Sequence, residues 1–266
     1  NVGWAAGGFI PADHAVDTLP PGARSGTQGV KKLLYMPVLY ADDPRPPQTP
    51  DQARATVEAN NRYYNEGSYG TVTWETDITP LIRLPQRANY YGEYVSATWA
   101  DARPIAAAMG YNYADYDDVY VLFNSLPQIG FGGRSDGLLN GSPGALPHEL
   151  GHNFGLGHAN YADLSGTAPP PVQPAPPFPV DPDSGLIGHY DVNASFGLTN
   201  IGEYGNPYDV MGSGGGHFST YFKWSINWLP SEFIKIATVS TTNRIYAFDT
   251  PRITDGRWAC DNAKCA

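Results

Sequence analysis

His148, Glu149, His152 and His158 stand within eleven consecutive residues, His-Glu-Leu-Gly-His-Asn-Phe-Gly-Leu-Gly-His. An α-helix turns about 100° per residue, so His148 and His152, four positions apart, lie roughly 40° apart on one face and can reach the same ion. Glu149 sits one step round, off the axis of the two imidazoles but close enough to hydrogen-bond a water beside a metal and to act as a base. His158 follows His152 by six residues and cannot share that face if the helix continues. The chain must turn sharply, and Gly155 is the residue type that tolerates the left-handed backbone of such a turn. Three protein ligands leave one position of a tetrahedral zinc open, the arrangement of a catalytic rather than a structural site. An acid such as Asp163 or Glu203 is the alternative third ligand, although His158 already fills the need.

The spacing His148-Glu149-x-x-His152-x-x-Gly155-x-x-His158 resembles the extended zinc motif of the metzincin clan of metallopeptidases at every position. That clan also carries a methionine turn downstream, and Glu203-Tyr204-Gly205-Asn206-Pro207-Tyr208-Asp209-Val210-Met211-Gly212 is similar to it, with Met211 as the turn methionine. Within the clan the likeness is greatest to the gametolysin-like family. It rests on the zinc segment followed by His158-Ala159-Asn160, on the Tyr204-to-Gly212 turn, and on His217-Phe218-Ser219 before Lys223-Trp224. Ser213 stands where astacin-like and serralysin-like members have a metal-binding tyrosine, which argues against a fourth protein ligand from the turn.

The resemblance implies a secreted zinc-dependent endopeptidase that hydrolyses peptide bonds of extracellular proteins through a zinc-activated water, with Glu149 as general base. It also implies a metzincin-like fold. A twisted mixed sheet with two long helices and the active-site helix would form an upper subdomain of about 31–157. A smaller, irregular lower subdomain of about 158–230 would hold the methionine turn and a C-terminal helix. Calcium is a second candidate ion, from the family class and from loop acids such as Asp181 and Asp183. The competing reading is a catalytically idle, zinc-stabilised protein that grips extended peptides.

The elements that must position these residues show the alternation expected of an α/β chain. Residues 1–30 read as an extended N-terminal segment, and Lys32–Ala41 as a first strand. Thr49-Pro50-Asp51-Gln52 is a helix-start signature for a helix over 50–66, with Gly67 as the stop. Thr71–Thr76 alternates as a strand, and Ser96–Met109 reads as a second helix with Pro104 as a possible kink point. Asp118–Phe123 is nearly all apolar, as a central strand covered on both faces should be. Gln128–Asp136, broken by glycine, reads as an edge strand whose unpaired N–H and C=O groups could receive a substrate backbone, making Ile129, Gly130, Phe131 and Gly132 candidate substrate contacts. His217, six residues after Met211, is a further candidate. Phe218–Leu229 reads as a helix, and residues 231–266 as a small β-element. Between His158 and the methionine turn, eight of the fifteen residues from Ala168 to Pro182 are proline. That segment reads either as a surface insertion or as a stiff polyproline wall or protein contact.

Composition excludes several classes. The 26 acidic and 16 basic residues give a net charge of −10, and no Lys/Arg-rich run offers a nucleic-acid footprint. The longest apolar run, Leu33–Ala41, contains Pro37 and falls far short of the roughly 20 residues that span a bilayer. No basic region followed by an apolar core begins at Asn1, and no early cysteine offers a latency switch, so the chain reads as a processed form or one regulated differently. Cys260 and Cys265 can close a local disulfide or stand as two thiols. His14 and His189 read as surface residues or as residues hydrogen-bonded locally. The expected partner is an extended polypeptide, and nothing in the sequence fixes an oligomeric state.

Overall fold

The computed structural model describes residues 26–159, 161–162, 201–202 and 204–229. The proline-rich segment 168–182, the β-element expected in 231–266 with its two cysteines, the acids Asp163, Asp181, Asp183 and Glu203, and His14 and His189 lie outside the described residues. What is described falls into two compact units. One consists of Gly29–Asn65 and Gly70–Asn153, and the other takes in residues 26–28, Glu66–Tyr69 and the described residues from Phe154 onward.

The first unit is mixed α/β. Strand β1 (Gly29–Leu39) pairs in parallel with β2 (Val72–Ile78) and β3 (Ile82–Arg83) on one side and with β4 (Asp118–Phe123) on the other. β4 pairs in parallel with β6 (Leu138–Asn140), which pairs antiparallel with β5 (Gly133–Arg134). The six-stranded sheet runs β2-β1-β4-β6-β5, with β3 beside β1.

From Leu33 to Leu39 both faces of β1 are buried, as the near-continuous apolar run requires of a parallel strand. Leu34, Met36 and Val38 join Ile82, Val121, Phe123 and Leu138 in one core cluster. Helix α3 (Val95–Ala108) contributes Ala102 and Ala106 to that cluster, and with Thr98 these form a stripe of buried small residues four apart. The helix runs through Pro104. The short α2 (Ala88–Glu93) adds Tyr91, which stacks on Tyr40 with ring centroids 5.6 Å apart and donates its hydroxyl proton to Asp101.

Helix α1 (Pro50–Gly67) begins with the capping box legible in its sequence. The Gln52 side chain accepts from the Thr49 N–H at 2.8 Å, and the Thr49 hydroxyl accepts from the Gln52 N–H. It buries Ala53, Val57, Asn60 and Tyr64 along one stripe, and Tyr64 meets Trp74 of β2 edge to face. Gly67 is the last helical residue, so the stop falls where the sequence places it. The left-handed residue is Tyr69 (φ 57°), with the Gly70 N–H returning to the Asn65 carbonyl and the Tyr69 N–H to that of Glu66.

Two expectations need correction. Of Gln128–Asp136 only Gly133–Arg134 is strand, and 126–132 form an irregular loop whose Leu126, Ile129 and Phe131 pack with the core cluster. The helix expected over Phe218–Leu229 is a single short one, α5 (Thr220–Ser225), capped at its start by Ser219. It stops because Asn227 adopts φ 62°, so that the Trp228 N–H returns to the Lys223 carbonyl and the Asn227 N–H to that of Trp224. α5 belongs to the second unit, as does the short antiparallel pair β7 (Tyr161–Ala162) and β8 (Ile201–Gly202). In the same unit Thr27 donates its hydroxyl proton to the Ile226 carbonyl, and Trp228 donates its indole N–H to the Thr27 carbonyl. Among the described residues, no helix is long and apolar enough to cross a membrane.

Leu34 is fully buried at the centre of the sheet, so Leu34→Ala should lower unfolding stability by about 2–5 kcal/mol. A denaturant-unfolding midpoint unchanged from wild type would remove that residue from the core.

Candidate metal centre

Helix α4 (Leu146–Asn153) carries the first two histidines. Its buried Leu146 and Leu150, one turn apart, anchor it to the first unit and leave His148 and His152 half-buried on a different face. The two imidazole centroids are 4.8 Å apart with ring planes 82° from parallel. The Tyr64 hydroxyl donates to the Pro147 carbonyl at 2.8 Å, tying the first turn of α4 to α1. The other end of α4 is fixed by Asn153, whose side-chain amide donates to the Asp118 carboxylate at 2.6 Å and to the Tyr120 hydroxyl at 3.3 Å, both on β4.

Beyond Asn153 the helix ends, and Gly155 takes φ 88°, the left-handed conformation expected of it. His158 then returns toward the first two histidines. Ligand atoms of His148, His152 and His158 all lie within 4.8 Å of one another, a group that could hold a metal ion. Zinc–nitrogen bonds of about 2.1 Å separate tetrahedral ligands by roughly 3.4 Å, within reach of small rotations of these rings. The donor set, three imidazoles, is compatible with zinc.

Glu149 is 7% exposed, and burial, reinforced by the charge of Asp136, pushes its carboxyl up to about 7. It faces the edge of the sheet. A Cβ built on Gly133 of β5 would stand 2.5 Å from Oε1 and 2.7 Å from Cγ of Glu149. Gly133 is therefore the residue that makes room for the carboxylate, a function that no sequence spacing announces.

The methionine turn is held by its backbone. Met211 is fully buried; its N–H donates to the Asp209 carboxylate at 2.9 Å, and its carbonyl accepts from the N–H of Ala159, the residue after His158, at 2.8 Å. The Ala159 carbonyl in turn accepts from the Asn206 N–H. Asp209, wholly buried, also accepts from the Ser219 N–H and so ties the turn to the start of α5. The glycines that follow are tightly turned: a Cβ on Gly212, Gly214 or Gly216 would stand 2.1–2.2 Å from a backbone oxygen of residues 206–208. Tyr204, held at φ 59°, lays its ring over that of His158 with centroids 3.8 Å apart.

His217 stands by the last turn of α1, with Nε2 4.0 Å from the Glu66 carboxylate and Nδ1 3.2 Å from where a Cβ on Gly67 would lie. Ile129, Gly130, Phe131 and Gly132 lie in the loop that leads into β5, and Ile129 and Phe131 pack in part against the core cluster. Sequence reasoning missed Gly133, the Asp118–Asn153–Tyr120 anchor and the Tyr204 ring. Tyr204 and Gly133 do sit inside segments already singled out. Compared with known proteins, the chain matches no protein family and no curated protein at a significant level.

Burial pushes the Asp118 carboxyl from 3.8 up to about 6, against the Asn153 hydrogen bond and the Lys31 charge that lower it, with Asp117 adding to the rise. A raised folded-state value makes the ionised form the costly one. The benefit is fully present below about 4 and is lost as pH rises through about 6. Asp118→Asn keeps an oxygen for Asn153 and should be more stable than wild type at pH 7.5 by on the order of 1–3 kcal/mol, with the difference vanishing near pH 4. Unfolding free energies that differ by the same amount at pH 4 and 7.5 would show that Asp118 carries no such burden.

Proposed function

We propose that this chain is a zinc-dependent endopeptidase of the metzincin type, with the gametolysin-like family as its nearest kin, secreted and acting on extended polypeptides. The observation that carries the reading is the convergence of three imidazoles from one eleven-residue segment, with the carboxylate between the first two buried and turned toward the sheet edge. Support also comes from the buried methionine turn stapled to the residue after His158. On this reading residues 31–157 form the upper subdomain and 158–230 the lower one.

His148, His152 and His158 would hold the ion. When bound, zinc supplies Lewis-acid chemistry, acidifying a water and polarising the scissile carbonyl. Glu149 takes the proton of that water as the new C–O bond forms. It then delivers the proton to the amide nitrogen as the C–N bond breaks, so that a carboxylic acid and an amine leave. β5, last in the strand order, presents the unpaired backbone groups that can align a peptide in extended form.

A digestion assay on casein or gelatin, with zinc and with chelator, tests the reading directly. Cleavage should require the metal, and a folded, zinc-loaded chain that cleaves neither protein nor any member of a peptide library would leave a peptide-binding protein instead. Glu149→Gln should lower kcat by at least ~100-fold while zinc stays bound at wild-type stoichiometry. Retained turnover would show the base is another group. His158→Ala should weaken zinc affinity by ~100-fold or more in a competition titration, and unchanged affinity would exclude it as a ligand.

A further inference from the structure

Asn140 ends β6 with its side chain only 6% exposed, and the amide is spent on the loop 126–132. Its Oδ1 accepts from the Leu126 N–H at 2.8 Å. Its Nδ2 donates to the Phe131 carbonyl at 2.9 Å and lies 3.4 and 3.5 Å from the carbonyls of Ile129 and Leu126. The backbone N–H of the same residue donates to the Gly132 carbonyl at 2.8 Å. One residue thus grips both ends of a seven-residue loop that contains two glycines and no regular structure.

Only a side-chain amide of this length satisfies the set. It offers one acceptor and two donors from a planar group, whereas a carboxylate has no donor and leucine has neither. Held this way, the loop packs Ile129 and Phe131 on the core and runs directly into β5, the last strand of the sheet. Without the clamp, the backbone entropy of ordering these residues would have to be met at the moment a peptide adds to the edge.

We propose that Asn140 is the positioning residue for substrate: by fixing loop 126–132 it preorganises the edge of β5 to receive an extended polypeptide backbone. The inference rests on the peptidase reading for its substrate and on the hydrogen-bond set for its mechanism. Asn140 acts through the loop whose backbone it holds.

The test uses the full chain loaded with zinc. Asn140→Asp keeps the acceptor and the volume but loses the donors, and Asn140→Ala loses both. In peptide kinetics both should raise KM by roughly tenfold, with kcat and zinc content close to wild type. Amides 126–132 should exchange faster with deuterium. Val57→Ala, in the α1 core, serves as a control for general destabilisation and should lower thermal stability without moving KM. An Asn140→Asp chain that folds with KM unchanged overturns the proposal, as does a control that raises KM equally. Should neither Asn140 variant fold, the wild type still decides: slow exchange of the Leu126 amide, comparable to β4, supports the clamp, and exchange at the rate of a free loop overturns it. A wild type that cleaves no peptide sinks the peptidase reading separately, because the exchange measurement is independent of turnover.

Discussion

A helix cannot present imidazoles six residues apart to one point, and that geometric limit governs the molecule. For His148, His152 and His158 to converge, α4 must stop at Asn153 and the backbone must reverse through a left-handed residue. Both ends of α4 are consequently fastened, to α1 through Tyr64 and to β4 through Asn153. The return limb is fastened too, by the two hydrogen bonds that Ala159 shares with Met211 and Asn206. The sheet beneath contributes stiffness: β1 and β4 are buried on both faces and leave α4 a rigid base.

Much of this was legible in the residues. The capping box at Thr49–Gln52 marked α1, the apolar run Asp118–Phe123 marked β4, and Gly155 marked the reversal. Each of these signals is local, because the residue that betrays the feature also makes it. The missed features depend on neighbours remote in sequence. β6 and β3 are three and two residues long, too short for any periodicity. α5 stops at Ser225 because Asn227, two residues on, accepts the left-handed conformation, a signal present in the chain but masked by the apolar residues around it. The edge strand contracted to Gly133–Arg134 because the preceding loop spends its backbone groups on Asn140 rather than on a partner strand.

The site residues divide in the same way. Ligand types and spacing belong to one segment and could be read directly. What surrounds them could not be, since Gly133 matters for a side chain sixteen positions later and Tyr204 for one that precedes it by forty-six. Glycine has two distinct uses here: at Gly155 its freedom lets the chain turn, and at Gly133 its small size lets another group approach.

The pairing of β1 with β4 joins Lys32 to Asp117 across 85 positions. Non-local parallel pairing of this kind demands a large loop-closure entropy before any contact rewards it, so folding of the first unit is expected to be slow, limited by the search for that central register. During synthesis the nucleus cannot close until β4 has left the ribosome.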